Sequence, residues 1–251
     1  MNSQSALIVI PTTGAPTLRQ CIRSALQQDW PNVKVLVVCD GPQYEGAVFE
    51  HREWLNEEFE GQDKDINYME LPWNTGADGW YGHRIYASMG FLSNEDWIFY
   101  LDQDNWYDTD HVRTQIESCV LNRWHWGHSL RKIHDVDGNY LLDDNCESLG
   151  KYPIFNTNDH HLVDTSSFCV SRAVATTLGQ AWYGQWGADR QFLANAAKFY
   201  PNWGGTGKYT LNYRLSGNSG SVTREFFEQG NQIMWDKYQG NWPWTQWKIT
   251  I

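Results

Sequence analysis

The sequence predicts an α/β fold in which a mostly parallel, doubly wound sheet is flanked by helices. Over the first 120 residues, short apolar runs rich in β-branched and aromatic residues alternate with stretches of helical periodicity. One of these runs, Trp97–Leu101, ends in two carboxylates, Asp102 and Asp104. A run of this kind is typical of a buried strand, and open α/β sheets bind ligands beyond the carboxyl ends of their strands.

The first half is predicted to begin with strand, helix and strand. Ala6–Ile10 is an apolar strand that Pro11–Gly14 breaks, and Pro16 is expected to open a helix. Val33–Val38 is the next strand, which gives a parallel pair with a right-handed crossover. The other elements predicted here are a helix at 47–60, a strand at Ile66–Leu71, a loop at 72–82, a helix at 83–92, and a helix capped by Asp108 or Thr109 with Val112, Ile116 and Val120 on one face.

The second half is less regular and is expected to form a smaller mixed region. Asp137-Gly138-Asn139 lies between apolar residues and predicts a hairpin. The other elements predicted here are a strand at Leu162–Val170, a helix at Ser171–Leu178, a helix after Asp189 that buries Leu193, Ala196 and Ala197, a strand at Tyr209–Leu215 after the glycine-rich stretch Gly204–Gly207, a flexible segment at 216–220, and a helix from Thr223.

The chain is acidic, with a formal net charge of −11 over 251 residues, of which 41% are hydrophobic. This length and composition suit a single domain over residues 1–251. The negative charge argues against a nucleic-acid or anionic-membrane partner, because both favour a basic patch. An anionic substrate would need a local cation, which only Lys, Arg or a metal can supply.

Cysteine usage and the absence of long apolar stretches indicate where the protein works. The five cysteines are widely spaced and include no Cys-x-x-Cys, and the four among apolar neighbours are expected to be buried thiols in a reducing compartment: Cys21, Cys39, Cys119 and Cys169. The first residues do not resemble a signal peptide, and no apolar stretch reaches the roughly 20 residues that span a bilayer. We therefore expect a soluble, cytoplasmic protein with no transmembrane segment.

The two carboxylates Asp102 and Asp104 predict a metal site. Residues two apart in an extended chain project the same way, so the like charges repel each other unless a cation lies between them. Oxygen ligands suit Mg²⁺ or Mn²⁺, and the metal would in turn hold a nucleotide diphosphate. The alternative is a surface turn, in which Asp and Asn are common.

Three predicted strands end in residues that are expected to lie along one edge of the sheet: Pro11–Thr13, Asp40, and the pair at 102 and 104. Asp40 is suited to accept hydrogen bonds from a base or a ribose hydroxyl, although it could simply form a turn with the Gly-Pro that follows. No Gly-x-Gly-x-x-Gly and no Walker loop occurs, which weakens the case for a dinucleotide oxidoreductase or a kinase.

Fifteen tryptophans are unusual for this length. Several adjoin Gly, Asn or Asp in predicted loops, where aromatic faces suit the flat apolar faces of sugars, although each one could equally be a packing residue. The tryptophans concerned are Trp73, Trp80, Trp106, Trp126, Trp186 and Trp203. His125 and His128 have the spacing of a helical metal pair, but no Cys or carboxylate lies at a matching spacing, so a packed turn is favoured over zinc.

Taken in order, these motifs resemble the inverting family-2-type glycosyltransferases, which have the GT-A fold of the nucleotide-diphospho-sugar transferase superfamily. The resemblance covers residues 6–195. It rests on the strand and Pro-Thr turn Ile8–Thr12, the strand Val35–Gly41, the segment Asn74–Arg84, the Asp-x-Asp motif in Phe99–Asp104, the acceptor-side strand Val163–Arg172, and Trp186–Asp189 in place of the family's Glu-Asp element. Two departures stand out: Asn74–Arg84 carries extra residues, and Ala188 replaces the usual acidic residue.

The resemblance implies a nucleotide-sugar-binding half at 1–121 and an acceptor-binding half at 122–251. The donor would be a nucleotide-diphosphate sugar, most readily a UDP-sugar, and the acceptor a glycan or another hydroxyl compound. Asp189 would be the catalytic base, and Asp102 and Asp104 would hold Mn²⁺ or Mg²⁺. The residues implied to bind the donor are Pro11, Thr12, Asp40, Arg84, Asp102, Gln103 and Asp104.

Three cationic residues, Lys208, Arg214 and Arg224, flank the segment 216–221 and could close over the phosphates, although each could equally be a surface residue. Two other functions are left open. A nucleotidyltransferase would share the sheet and the acidic pair but attack phosphorus, and it usually carries a basic residue in the loop after the first strand. A non-catalytic sugar-binding module would use the tryptophans without nucleotide or metal.

Overall fold

The structure is a computed structural model that describes residues 4–62, 64–217 and 221–246. The strands are β1 (Ala6–Thr12), β2 (Val33–Cys39), β3 (Ile66–Glu70), β4 (Trp97–Tyr100), β5 (Trp106–Tyr107), β6 (Trp126–His134), β7 (Tyr140–Asp143), β8 (Phe168–Ser171) and β9 (Trp203–Arg214). The α-helices are α1 (Leu18–Leu26), α2 (Glu45–Glu58), α3 (His83–Leu92), α4 (His111–Asn122), α5 (Arg172–Leu178), α6 (Ala188–Phe199) and α7 (Arg224–Tyr238).

The described strands form one nine-stranded sheet in the order β3-β2-β1-β4-β8-β6-β9-β5, with β7 paired to β6 outside this path. The first four strands in that order are parallel, as the sequence predicts. Beyond β4 the sheet is mixed, because β8 runs antiparallel to both β4 and β6, whereas β9 is parallel to β6. The predicted α/β class is confirmed.

Apolar side chains alternate between the two faces of the sheet and are covered by helices on both. One core lies between the sheet and α3, α5 and α6, and it includes Val9, Tyr100 and Trp182. The other lies between the sheet and α1, α2 and α4, and it includes Ile8 and Phe99. Helices on both faces make the sheet doubly wound.

The early elements differ from prediction only at their ends. Helix α1 begins at Leu18 after Thr17, so Pro16 precedes the helix instead of opening it. Neither Asp108 nor Thr109 caps α4, which begins at His111. That prediction is wrong because Asp108 belongs to the sheet: its N–H donates to the Thr210 carbonyl at 2.9 Å.

Two predictions in the second half are wrong. Residues 162–167 are not a strand, because the Asp164 side chain accepts a hydrogen bond from Ser166 N (2.9 Å) and starts a 3₁₀ turn. The glycine-rich stretch at 204–207 is part of β9 and not a loop. Gly204 lies so close to the Trp124 ring that a Cβ would come within 2.3 Å of it.

Other predictions for the second half are confirmed. Strands β6 and β7 form the expected hairpin. Helix α7 follows Thr223, whose hydroxyl accepts a hydrogen bond from Phe226 N at 3.3 Å. Of the flexible segment predicted at 216–220, residues 218–220 lie outside the part of the chain that the structure describes.

All five cysteines are buried free thiols. The packed turn favoured for His125 and His128 is wrong for His128, which lies in β6. Its ring packs against Gly150 and Gly205. No described helix has the length and apolar character needed to cross a bilayer.

A tight contact between α3 and α5 holds the first core together. A Cβ on Gly90 would come within 2.4 Å of the backbone of Ala175 and Thr176. We expect Gly90→Ala to lower the free energy of unfolding by about 1–3 kcal/mol, because this overpacking forces the helices apart. Gly46→Ala is the control, since Gly46 lies on exposed α2 with nothing within 4 Å. Urea unfolding measures both, and equal effects would contradict the close packing.

Candidate active site

The carboxyl ends of β1, β2 and β4 meet the start of α6 around one cavity of about 690 Å³. Seven of the predicted site residues line it: Pro11, Thr12, Asp40, Asp102, Gln103, Asp104 and Asp189. The parallel register brings the three strand ends together, as residues at the carboxyl edge of an open sheet do.

Gln103 fixes the loop after β1. Its side-chain oxygen accepts hydrogen bonds from Thr12 Oγ1 at 2.7 Å and from Thr13 N at 3.0 Å. Its amide nitrogen donates to Thr13 Oγ1 at 3.1 Å. Gln103 therefore uses most of its hydrogen-bonding capacity within the protein and shapes one wall of the cavity.

Asp40 ties the end of β2 to the loop at 74–76. Its carboxylate accepts hydrogen bonds from Thr75 N and Thr75 Oγ1, each at 2.7 Å, and from Gly76 N at 2.8 Å. Glycine is required at 76, because a Cβ there would come within 2.6 Å of Asp40 Oδ2. The carboxylate is held rigidly at the cavity wall.

Asp102 and Asp104 lie partly exposed in the cavity. Asp102 accepts a hydrogen bond from Tyr86 Oη at 2.8 Å and another from Ser166 Oγ at 3.3 Å. Burial and the neighbouring Asp104 carboxylate raise the pKa of Asp102 to about 7. Burial also raises the pKa of Asp104. The two carboxylates therefore stand in a setting that resists their full ionisation unless a cation joins them.

Arg214 and Asn105 brace the acidic loop from behind. Arg214 Nε donates to the Asp104 carbonyl at 3.1 Å, and Nη1 donates to the Val136 carbonyl at 2.9 Å. The Asn105 side chain accepts from Arg214 N at 3.1 Å and donates to Ser166 Oγ at 3.1 Å. Arg214 is thus committed to the protein backbone and does not line the cavity. Lys208 and Arg224 do not line the cavity either.

A buried ionic cluster that the sequence analysis missed lies in the second half of the chain. The Arg131 guanidinium donates from Nε to Asp144 at 2.8 Å, from Nη1 to Asp164 at 2.7 Å, and from Nη2 to Glu147. Burial raises the pKa of Asp164 and of Glu147. Arg131 is the sixth residue of β6, and its partners lie 13 to 33 residues away, so no local pattern marks the cluster.

Asp189 lies in the first turn of α6, after Gly187 in the left-handed conformation (φ 87°). The carboxylate accepts a hydrogen bond from Arg190 N at 2.8 Å. His83 also lines the cavity, and its Nδ1 lies 2.8 Å from the Gly184 carbonyl, so Nδ1 carries the proton and Nε2 is left as an acceptor.

Arg84 does not line the cavity. Its guanidinium lies over the Trp80 ring, 3.8 Å from the ring centroid, and 5.6 Å from that of Tyr183. Successive residues of a helix project about 100° apart, so His83 at the start of α3 takes the cavity side instead.

The tryptophans proposed for sugar binding divide into two groups. Trp126 and Trp203 stack on each other in the core, with ring centroids 4.1 Å apart, and are packing residues in β6 and β9. Trp186 lines the cavity and is exposed. Sequence neighbours such as glycine therefore did not distinguish core tryptophans from site tryptophans.

The cavity is strongly acidic. Its described lining has six carboxylates, namely Asp40, Asp102, Asp104, Glu147, Asp164 and Asp189, against two guanidinium groups, Arg131 and Arg190. No group of three or more His, Cys, Asp or Glu among the described residues is arranged to hold a metal by itself. Mg²⁺ and Mn²⁺ are commonly held by one or two carboxylates together with substrate phosphates and water, and the Asp102–Asp104 pair fits that donor set.

Removing the cation of the buried cluster should destabilise the fold. We expect Arg131→Met to cost about 3–5 kcal/mol of unfolding free energy, since it leaves three carboxylates without their counter-charge. The control Arg113→Met removes only exposed ion pairs, to Asp29, Asp110 and Glu117. It should cost less than about 1 kcal/mol of unfolding free energy. Urea unfolding at pH 7 measures both. A small loss for Arg131→Met would contradict the structural role.

The raised pKa of Asp102 predicts a pH-dependent stability. Between the ordinary value of about 3.9 and the folded value of about 7, the folded protein holds a proton that the unfolded chain has released. This contribution to stability is therefore lost as pH rises through that interval, by at most about 1.4 kcal/mol per pH unit.

Urea unfolding of the wild type and of Asp102→Asn, from pH 5 to 8.5 in EDTA, tests this. The unfolding free energy of the wild type minus that of Asp102→Asn should decrease as pH rises to about 7 and then stay constant. A difference that is constant with pH would contradict the raised pKa.

Residues 7–123 match the sequence model of the family described as glycosyl transferase family 2. The match ends at the last turn of α4 and leaves out Asp189 and the buried cluster. No curated protein matches the chain by sequence.

Several solved structures share the fold. The chain superposes on residues 1–349 of S. aureus TarS with a TM-score of 0.60 and 13% identity, covering 84% of this chain and 60% of that one. The UDP-GlcNAc complex of the same fragment superposes with a TM-score of 0.61 and 13% identity, covering 94% of this chain and 67% of that one. The UDP complex superposes with a TM-score of 0.58 and 14% identity, covering 94% of this chain and 66% of that one. The chain thus spans about three fifths of the length of the unliganded TarS fragment.

The curled mixed sheet with helices on both faces is the GT-A arrangement of these structures. The match over residues 7–123 covers less than half of the chain, and at 13% identity the structural likeness establishes the fold alone. The first half of the chain therefore resembles glycosyl transferase family 2, and the whole shares the fold of these glycosyltransferase structures.

Proposed function

We propose that this protein transfers a sugar from a UDP-sugar to a hydroxyl acceptor, with inversion at the anomeric carbon and with the help of Mn²⁺ or Mg²⁺. The observation that carries the proposal is that one cavity is lined by the acidic pair at the end of β4 and by Asp189 at the start of α6. The structural likeness to TarS in complex with UDP and with UDP-GlcNAc supports a uridine donor.

The donor would lie along the carboxyl edge of the parallel strands. Asp40 has one carboxylate lone pair left after its three hydrogen bonds, which suits a base N–H or a ribose hydroxyl. A diphosphate brings further negative charge into a cavity that already has six carboxylates. Asp102 and Asp104 would hold the divalent cation, which when bound would neutralise charge that develops on the leaving diphosphate.

Asp189 would act as the general base. Its carboxylate would take the proton of the acceptor hydroxyl as that oxygen attacks the anomeric carbon. The bond from that carbon to the diphosphate oxygen breaks on the opposite side, so the product is inverted.

A nucleotidyltransferase is less well supported. Such an enzyme would want a basic residue in the loop after β1, and the nearest one, Arg19, is turned away. Arg19 Nε donates to His51 Nδ1 at 3.1 Å, and its guanidinium lies over the Trp54 ring, 4.9 Å from the centroid. Release of pyrophosphate instead of UDP would nevertheless overturn the proposal.

Two variants separate binding from chemistry. We expect Asp104→Asn to weaken Mn²⁺-dependent UDP binding and to abolish UDP release from a UDP-sugar. Asp189→Asn should keep UDP binding and lower transfer by about 10²–10⁴-fold, since it removes only the base. Asp236→Asn on the exposed face of α7 is the matched control and should change neither.

The first measurement is a thermal-shift screen of UDP-, GDP- and dTDP-sugars with and without Mn²⁺, followed by calorimetry of UDP binding and an assay of UDP release. Full turnover by Asp189→Asn would remove it as base. Undiminished activity in excess EDTA would contradict the metal assignment. Binding of glycans with no response to any nucleotide would favour a sugar-binding module.

A further inference from the structure

Three exposed aromatic side chains lie in the loops at 76–82 and 183–187, both of which supply residues of the cavity lining. Tyr81, Tyr183 and Trp186, here called the aromatic rim, are exposed by 55%, 61% and 76%. Tyr81 and Trp186 line the cavity itself. Tyr183 packs against Trp80, with ring centroids 4.8 Å apart. Large aromatic side chains that stay exposed beside a site suit contact with a ligand that has apolar faces.

The rim is built on two loops that are fastened to each other. Gln185 Nε2 donates to the Asp78 carbonyl at 2.9 Å, and His83 Nδ1 donates to the Gly184 carbonyl at 2.8 Å. Tyr81 has a left-handed backbone (φ 50°), a conformation that non-glycine residues seldom adopt. Its N–H donates to the Gly76 carbonyl at 3.1 Å. Strain of this kind persists where the surroundings hold it, which is common beside ligand sites.

The rim lies on the acceptor side of the cavity. Trp186 is three residues before Asp189, and Arg190 lies over the Trp186 ring, 4.6 Å from the centroid. A molecule stacked on this ring is therefore beside the proposed base. Pyranose rings present flat C–H faces to aromatic rings and hydroxyls to the polar groups around them.

The charges on this side select among carbohydrates. Glu147, Asp164 and Asp189 line the cavity here, and Arg131 is already engaged by three carboxylates. Arg190 is the one other guanidinium in the described lining. A uronate or a phosphate on the acceptor would meet like charges, whereas a neutral or amino sugar would not.

We propose that the aromatic rim is the acceptor subsite, and that it takes an uncharged or amino-bearing pyranose oligosaccharide. This proposal rests on the proposed function, because it identifies the acceptor of that same reaction. The rim rings stack on the sugar and place one hydroxyl toward Asp189, and the acidic lining excludes anionic glycans.

Saturation-transfer NMR and calorimetry with defined tetrasaccharides test this. The probes are cellotetraose, maltotetraose and chitotetraose as neutral glycans, the glucosamine tetramer as an amino glycan, and tetragalacturonate as an anionic one. At least one neutral or amino probe should bind, and tetragalacturonate should not. We expect Trp186→Ala to weaken binding at least tenfold, Tyr183→Ala to weaken it several-fold, and Trp186→Phe to retain most of it.

Phe199→Ala is the control. Phe199 is another exposed aromatic residue, but it lies at the far end of α6 from Asp189, roughly 15 Å along the helix. Binding of none of the neutral or amino probes, preferential binding of tetragalacturonate, or equal binding by Trp186→Ala and Phe199→Ala would overturn the proposal.

Calorimetry of UDP with Mn²⁺ on the same variants separates the two proposals. UDP binding that survives in Trp186→Ala while glycan binding is lost supports the rim as an acceptor subsite. Failure of the wild type to bind any nucleotide would contradict the proposed function, whatever the glycans do.

Discussion

The buried guanidinium of Arg131 is the constraint on which the rest of the site depends. It joins β6 to Asp144 and Glu147 in the segment after β7 and to Asp164 before β8. Asp164 in turn accepts from Ser166 N, and Ser166 Oγ accepts from Asp102 N at 3.1 Å. One connected set of hydrogen bonds therefore runs from a buried cation to the acidic loop. Burying such a cluster costs desolvation free energy, so its contribution is to hold the acidic loop in one position.

The same arrangement explains the electrostatic character of the site. Three carboxylates share one guanidinium, and the acidic pair stands beside them. Burial raises the pKa of Asp102, the neighbouring carboxylates Asp104 and Asp164 raise it further, and this excess of negative charge would favour any cation that entered. It also disfavours an acidic acceptor. The same excess of carboxylates would thus favour a metal ion, require that ion for an anionic donor, and disfavour an anionic acceptor.

The parts of the site that could be predicted from the sequence are those determined by local pattern. Apolar runs marked the parallel strands, and parallel register places Pro11, Asp40 and Asp102 at one edge. The missed features depend on contacts distant in sequence. His83 is held by the Gly184 carbonyl, about 100 residues away, and Gly204 is in a strand because it pairs with Gly127 of β6.

The features that could be predicted lie mostly in the first half of the chain, and the missed ones lie mostly in the second. The family match spans residues 7–123, the part in which strands alternate with helices and turn residues follow each strand. Beyond it, β8, β6 and β9 pair across long sequence separations, and Trp186 and Asp189 line the cavity from the start of α6 and the loop before it. A donor site at the ends of parallel strands can stay recognisable while the acceptor side changes. Acceptor choice must therefore be worked out from this chain's own contacts.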